Sequence, residues 1–99
     1  LSTTDARGFR DDGYRALCAA VWETRAFGDF WQHCLVAEGA IDLAVEPAAN
    51  PWDLAALVPI VREAGGTCTS LAGAATFTGG DALTSNTALH TAALSALAP

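Results

Sequence analysis

Between Ala40 and Gly66 the chain has one local solution: run as a strand, stop, and restart as a helix. Ile41, Leu43 and Val45 alternate with Asp42, Ala44 and Glu46, the two-residue period of a strand. Pro47 ends it. Asn50 supplies a helix cap, and Pro51 falls in the first turn, where its missing N–H leaves no bond unmade. Leu54, Leu57, Val58 and Val61 form an apolar stripe at helical spacing. Pro59 lies inside that helix and predicts a bend, because the bond from position 59 back to Ala55 cannot form. Gly65-Gly66 close the helix. The unit carries Glu46 at the strand end and Asp53 in the first helical turn, seven residues apart. Two carboxylates at such a junction can hold a divalent cation and a polar substrate group side by side.

The flanking segments continue the alternation. Residues 1–8 read as a strand end and a loop, and Gly8 and Gly13 bracket a polar stretch before a short helix around Tyr14–Ala20. Val21–Thr24 reads as a short strand. After Gly28, Asp29–Glu38 reads as a helix with Phe30, Cys34 and Ala37 on one face and Trp31 and Leu35 beside it; Gly39 stops it in a position that tolerates positive φ. Thr67–Ser70, Ala75–Thr78 and Ala82–Thr84 are short strands separated by glycines. Asn86 caps a last helix with Leu89, Ala93 and Leu97 on one face. Helices alternating with strands predict a layered α/β domain with a mixed sheet.

Composition narrows the function. Ninety-nine residues suit one domain able to bury roughly 60–65% of its unfolded surface. Five arginines, no lysine and eleven Asp or Glu give a net charge of −6, which disfavours nucleic acid and anionic membranes and favours metal ions or cationic ligands. No apolar run reaches the roughly 20 residues of a membrane span. Cys18, Cys34 and Cys68 are odd in number and form no C-x-x-C, so buried free thiols in a reducing cytoplasm are expected. The chain opens on Leu1 in a polar stretch and is expected to be a fragment of a longer protein.

Taken singly, most polar residues have a plain explanation. Asp53 is stabilised at a helix start by about 0.3–1 kcal/mol. Glu46 fits a solvated strand end, Glu63 a helix surface, and the three tryptophans the core, with Trp52 also shaping a pocket wall. His33 and His90 have no second ligand at useful spacing and read as structural.

The combination says more. Glu46, then Trp52-Asp53-Leu54-Ala55-Ala56, then Glu63-Ala64-Gly65-Gly66 resembles the C-terminal signature of the inositol monophosphatase superfamily of magnesium-dependent phosphatases. Arg25-x-x-Gly28-Asp29, Val36-Ala37-x-Gly39 and Ser85-Asn86 agree with it. The resemblance implies that residues 1–99 are the C-terminal half of such a catalytic domain, a layered sandwich of helices and sheet. It implies Asp53 as a metal ligand for Mg²⁺ and Glu46 as a contact to the non-phosphate part of the substrate. Gly28-Asp29 looks like the histidinol-phosphatase branch, so Asp29 and Glu46 would face a protonated amine and imidazole rather than neutral hydroxyls. Arg25 would brace one of these acids, reach the substrate, or form a structural salt bridge. The alternatives are an inositol or sugar-phosphate phosphatase, and a non-catalytic truncated module.

One departure limits this. The superfamily's Asp-x-x-Asp-Gly-Thr motif is absent: at Asp12-Gly13, Phe9 stands for the first aspartate and Tyr14 for the threonine. Magnesium takes six oxygens at about 2.0–2.1 Å, and Asp53 alone cannot build two metal sites. The isolated chain is therefore expected to be inactive, and to dimerise or pair with the missing N-terminal half.

Overall fold

Strand β2 (Leu43–Glu46) is buried along its whole length, and the fold is built outward from it. The computed structural model describes residues 1–4 and 11–98, and of Asp11 only the backbone. The bracket at Gly8 and the position of Phe9 lie outside the described residues. β1 (Ser2–Thr3) runs parallel to β2, pairing Ser2 with Ala44 and Thr3 with Val45. β4 (Ala82–Asn86) runs antiparallel on the other side, with Val45 opposite Leu83. β3 (Gly66–Thr69) completes the mixed sheet against β4, in the order β1-β2-β4-β3.

The strand period sorts side chains into two cores. Leu43, Val45 and Leu83 pack with Leu17 of α1 (Asp11–Ala20) and Ala93 of α5 (His90–Leu97). Ala82 and Cys68 pack on the opposite face with Leu54 of α3 (Pro51–Leu54) and Val58 and Val61 of α4 (Leu57–Glu63). The remaining helix, α2 (Asp29–Glu38), lies on this second face. The result is the expected helix–sheet–helix sandwich. Two glycines set its closest approaches. A Cβ on Gly13 would sit 2.5 Å from the Leu97 carbonyl oxygen, and one on Gly66 would sit 2.9 Å from the Ser85 carbonyl oxygen.

The structure corrects several expectations. α1 begins at Asp11 rather than near Tyr14. Val21–Thr24 forms no strand; an isolated bridge joins Arg25 to Ser2 at this edge, and Trp22 is 98% exposed. Ala75–Thr78 is likewise loop. The expected single helix from Pro51 is two, and the break falls at Ala55-Ala56. The reason is Pro59 itself: its ring crowds the carbonyl of Ala55, four residues back, so the chain restarts and places Pro59 in the first turn of α4. α2 has the predicted limits and ends on Gly39 at φ 82°. Its buried residues, however, are Gln32, His33 and Val36, while Phe30 and Trp31 are exposed. Trp52 is exposed too, so none of the tryptophans is core. Glu46 is buried, not solvated. No helix among the described residues is long and apolar enough to cross a membrane.

Asn86 caps the last helical segment by accepting the Leu89 N–H, through a short 3₁₀ turn at Thr87–Leu89. His90 follows, buried between two strands. Thr69 donates its hydroxyl to the Ser70 carbonyl, so it accepts from His90 Nε2 at 2.8 Å. Nδ1 is then left to accept from Ser85 Oγ at 2.6 Å. Burial pushes the imidazole below its ordinary pKa of 6.5, in keeping with this neutral tautomer. Below pH 6.5 the unfolded chain takes up a proton that the folded chain resists, so stability falls as the pH drops through that value. Urea midpoints measured across this range should decline with acidification, and His90→Gln, which cannot titrate, should flatten the decline.

Candidate functional site

A buried carboxylate needs donors, and Glu46 finds them on two other elements. It stands at the end of β2 and is 7% exposed. Thr4, just past β1, donates its hydroxyl to Glu46 Oε1, and so does the Gln32 side-chain amide from α2. Gln32 Nε2 also donates to Thr4 Oγ1 at 3.3 Å. His33 Nε2 stands 3.6 Å from the same Glu46 oxygen. The other ring nitrogen, Nδ1, meets Thr84 Oγ1 of β4 at 2.8 Å. Gln32 and His33 are polar on the helix face that packs against the sheet because their partners lie there.

Thr4 also organises the start of α2. Its hydroxyl oxygen accepts the Asp29 backbone N–H at 2.8 Å. Gly28 reaches this turn at φ 73°, and Asp29 follows at φ 45°, in the left-handed region that aspartate tolerates better than most side chains. One hydroxyl thus links the buried acid at the end of β2 to the exposed acid that opens α2.

The Asp53 carboxylate is exposed in the first turn of α3, and its Oδ2 accepts the Asn50 N–H at 3.0 Å. The Asp53 N–H in turn donates to the Asn50 carbonyl at 3.0 Å. This reciprocal pairing fixes the side chain against its own helix start, where the free N–H groups favour an anion.

Asp29, Glu46 and Asp53 line one cavity of about 350 Å³ together with Thr4, Phe30 and His33 and an apolar wall that includes Leu54 and Leu57. The structure therefore brings together three of the four residues singled out in the sequence. Arg25 lies elsewhere. It lines a separate cavity, pairs with Glu23 at 2.8 Å and donates to the Thr24 carbonyl at 2.8 Å. Its partner is a neighbouring surface acid, not Asp29 or Glu46. Thr4, Gln32 and His33 were not singled out in the sequence for this site. The available signal was two adjacent polar residues, Gln32-His33, inside an otherwise apolar helix.

Among the described residues no three His, Cys, Asp or Glu side chains gather as a metal site. A six-oxygen magnesium shell does not fit this donor set; Asp53 can contribute one ligand to a site completed from outside it.

The sequence profile of the inositol monophosphatase family matches residues 5–98. A histidinol-phosphatase from Mycobacterium tuberculosis is 48% identical over 98% of this chain and 39% of its own length. A solved inositol monophosphatase from Zymomonas mobilis superposes with a TM-score of 0.88 at 30% identity, over 98% of this chain and 41% of that one. A calcium-bound inositol monophosphatase family protein from Staphylococcus aureus superposes at 0.87 with 25% identity, covering 97% and 39%. The chain thus spans about 39% of the length of the Mycobacterium relative.

Removing the shared hydroxyl tests the site's construction. Thr4→Val should lower the stability of the chain by about 1–3 kcal/mol, the cost of stranding a buried polar partner, while Thr4→Ser should retain most of it. Urea unfolding of the three proteins checks this.

Proposed function

The chain belongs to the inositol monophosphatase family, and we propose that it is the substrate-facing C-terminal half of a magnesium-dependent phosphate monoester hydrolase acting on histidinol phosphate. The observation that carries this is the convergence of Asp29, Glu46 and Asp53 on one cavity whose described lining holds no lysine or arginine. Such a wall suits a divalent cation at one end and a protonated amine at the other. The name of the Mycobacterium tuberculosis relative supports the aminated substrate.

Each residue then has a task. Asp53 lends an oxygen to the metal, which when bound acidifies water and neutralises phosphate charge. Glu46, held through Oε1, accepts from the substrate amine. Asp29 adds a second negative charge at the same end. Phe30, Leu54 and Leu57 provide apolar wall that excludes water and strengthens these contacts. Arg25, paired with Glu23, braces the sheet edge at a distance from this chemistry. The exposed Phe27 and Trp31, whose ring centroids lie 5.1 Å apart, would offer an apolar patch to the remainder of such a domain or to a second copy. The three free thiols fit a reducing cytoplasm.

Phosphate release from histidinol phosphate with Mg²⁺ tests the proposal. The 99-residue chain alone should show no measurable turnover. Joined to the part of the Mycobacterium relative that it does not span, it should hydrolyse the ester, and Asp53→Asn should reduce this by about 100-fold, the upper end of what even outer-shell losses bring. Asp29→Ala should damage use of histidinol phosphate far more than use of inositol phosphate. Robust turnover by the isolated chain, or indifference of the joined protein to Asp53→Asn, would contradict the assignment.

A further inference from the structure

Phe30 is the one phenyl or indole ring in the described lining of the acid-bearing cavity, and it is 66% exposed. Its place there is fixed by the helix that carries it. Gln32 is turned inward to Glu46, and Thr4 accepts the Asp29 N–H at 2.8 Å, so both the rotation and the start of α2 are set. Asp29 and Phe30 stand four and three residues before His33, which puts all three along one side of the helix. All three line the cavity. The neighbouring rings do not claim Phe30: Phe27 and Trp31 pack on each other, with centroids 5.1 Å apart. The polar side chains of the same lining present acceptors. Asp29, Glu46 and Asp53 are carboxylates, and the Thr4 hydroxyl proton goes to Glu46. The Thr84 hydroxyl donates to the Ala44 carbonyl, so His33 Nδ1 donates to Thr84. Its Nε2 then carries a lone pair, buried and unpartnered among the described residues. A surface of acceptors beside one exposed ring suits a ligand that is rich in N–H groups and has an aromatic ring of its own.

We propose that Phe30 is a specificity-determining residue: its ring is the face on which the imidazole of an aminated substrate stacks, while the substrate's amine is held by Asp29 and Glu46. Offset stacking of two rings gains more than their buried area alone provides, and an inositol ring has no π system to offset against it. Leu54 and Leu57, the large aliphatic residues of the lining, have none either. The carboxylates select for charge; Phe30 adds a preference for an aromatic ring. The identity of the substrate rests on the hydrolase reading above; the stacking of an imidazole on Phe30 does not.

Two measurements separate the two. In proton NMR, the imidazole resonances of L-histidinol should move upfield on titration with the 99-residue chain, the direction in which a ring face shields protons above it. Phe30→Leu, which keeps apolar bulk but has no ring face, should abolish the shift, and Phe30→Tyr should keep it. Unmoved resonances, or an undiminished shift with Phe30→Leu, would overturn the stacking. In the joined protein, Phe30→Leu should raise KM for histidinol phosphate about fivefold, the scale of one aromatic pair. The change in kcat, and in KM for inositol phosphate, should stay within about twofold, as expected when ground-state binding of one substrate is lost. Phe30→Tyr should hold KM for histidinol phosphate near the wild-type value. An equal rise for both substrates, or no rise, would overturn the selectivity role. If the joined wild type does not cleave histidinol phosphate, the hydrolase reading fails, and the ring-shift measurement still decides the stacking.

Discussion

The buried carboxylate of Glu46 is the constraint around which this chain is arranged. A charge nearly removed from water is tolerated only when hydrogen-bonded. Its donors come from the segment after β1 and the inward face of α2. Meeting that need fixes three things together: the end of β1, the rotation of α2 about its axis, and the depth at which β2 ends. The same hydroxyl that serves Glu46 accepts the first N–H of α2, so the position of Asp29 follows from the same interaction. Asp53 arrives independently, by pairing with Asn50 at the next helix start. The cavity is the space these two solutions leave between them.

How much of this was legible in the sequence depended on whether the physical cause was local. The strand into Glu46, the stop at Pro47, the start at Pro51 and the stripe of Leu54, Leu57, Val58 and Val61 all arise from nearest neighbours along the chain, and they hold, except that the strand starts at Leu43 rather than at Ala40. The limits of α2 were legible for the same reason. Its orientation was not. Hydrophobicity alone would bury Phe30 and Trp31, but Gln32 and His33 are turned inward by a glutamate that is 14 and 13 residues away in the sequence and adjacent in space. Pro59 disrupts the helix as its position in the sequence implies, but a proline acts on the carbonyl four residues before it, so the break surfaces at Ala55-Ala56. Val21–Thr24 and Ala75–Thr78 carry strand-like residues but do not become strands.

The candidate site divides the same way. Asp29, Glu46 and Asp53 could be singled out from spacing and resemblance, and they share a cavity. Their supporting residues could not, because a hydroxyl at position 4 has no local signature of serving an acid at position 46. Arg25 is the converse: a conspicuous charge close in sequence to the turn at Gly28-Asp29, yet satisfied by Glu23 on another surface. Family membership and the 39% span of the Mycobacterium relative are consistent with the proposal that this chain supplies a substrate-facing wall and one oxygen to a metal site completed by other residues.

The most direct test of Glu46 as the organising acid is a double-mutant cycle between Gln32 and Glu46, which isolates their interaction from the separate effects of each change. Stabilities of the wild type, Gln32→Met, Glu46→Gln and the double variant, from urea unfolding, give the coupling. A favourable coupling of about 1 kcal/mol or more is the predicted result for a buried, charge-assisted contact. Additive effects, with a coupling indistinguishable from zero, would contradict the account.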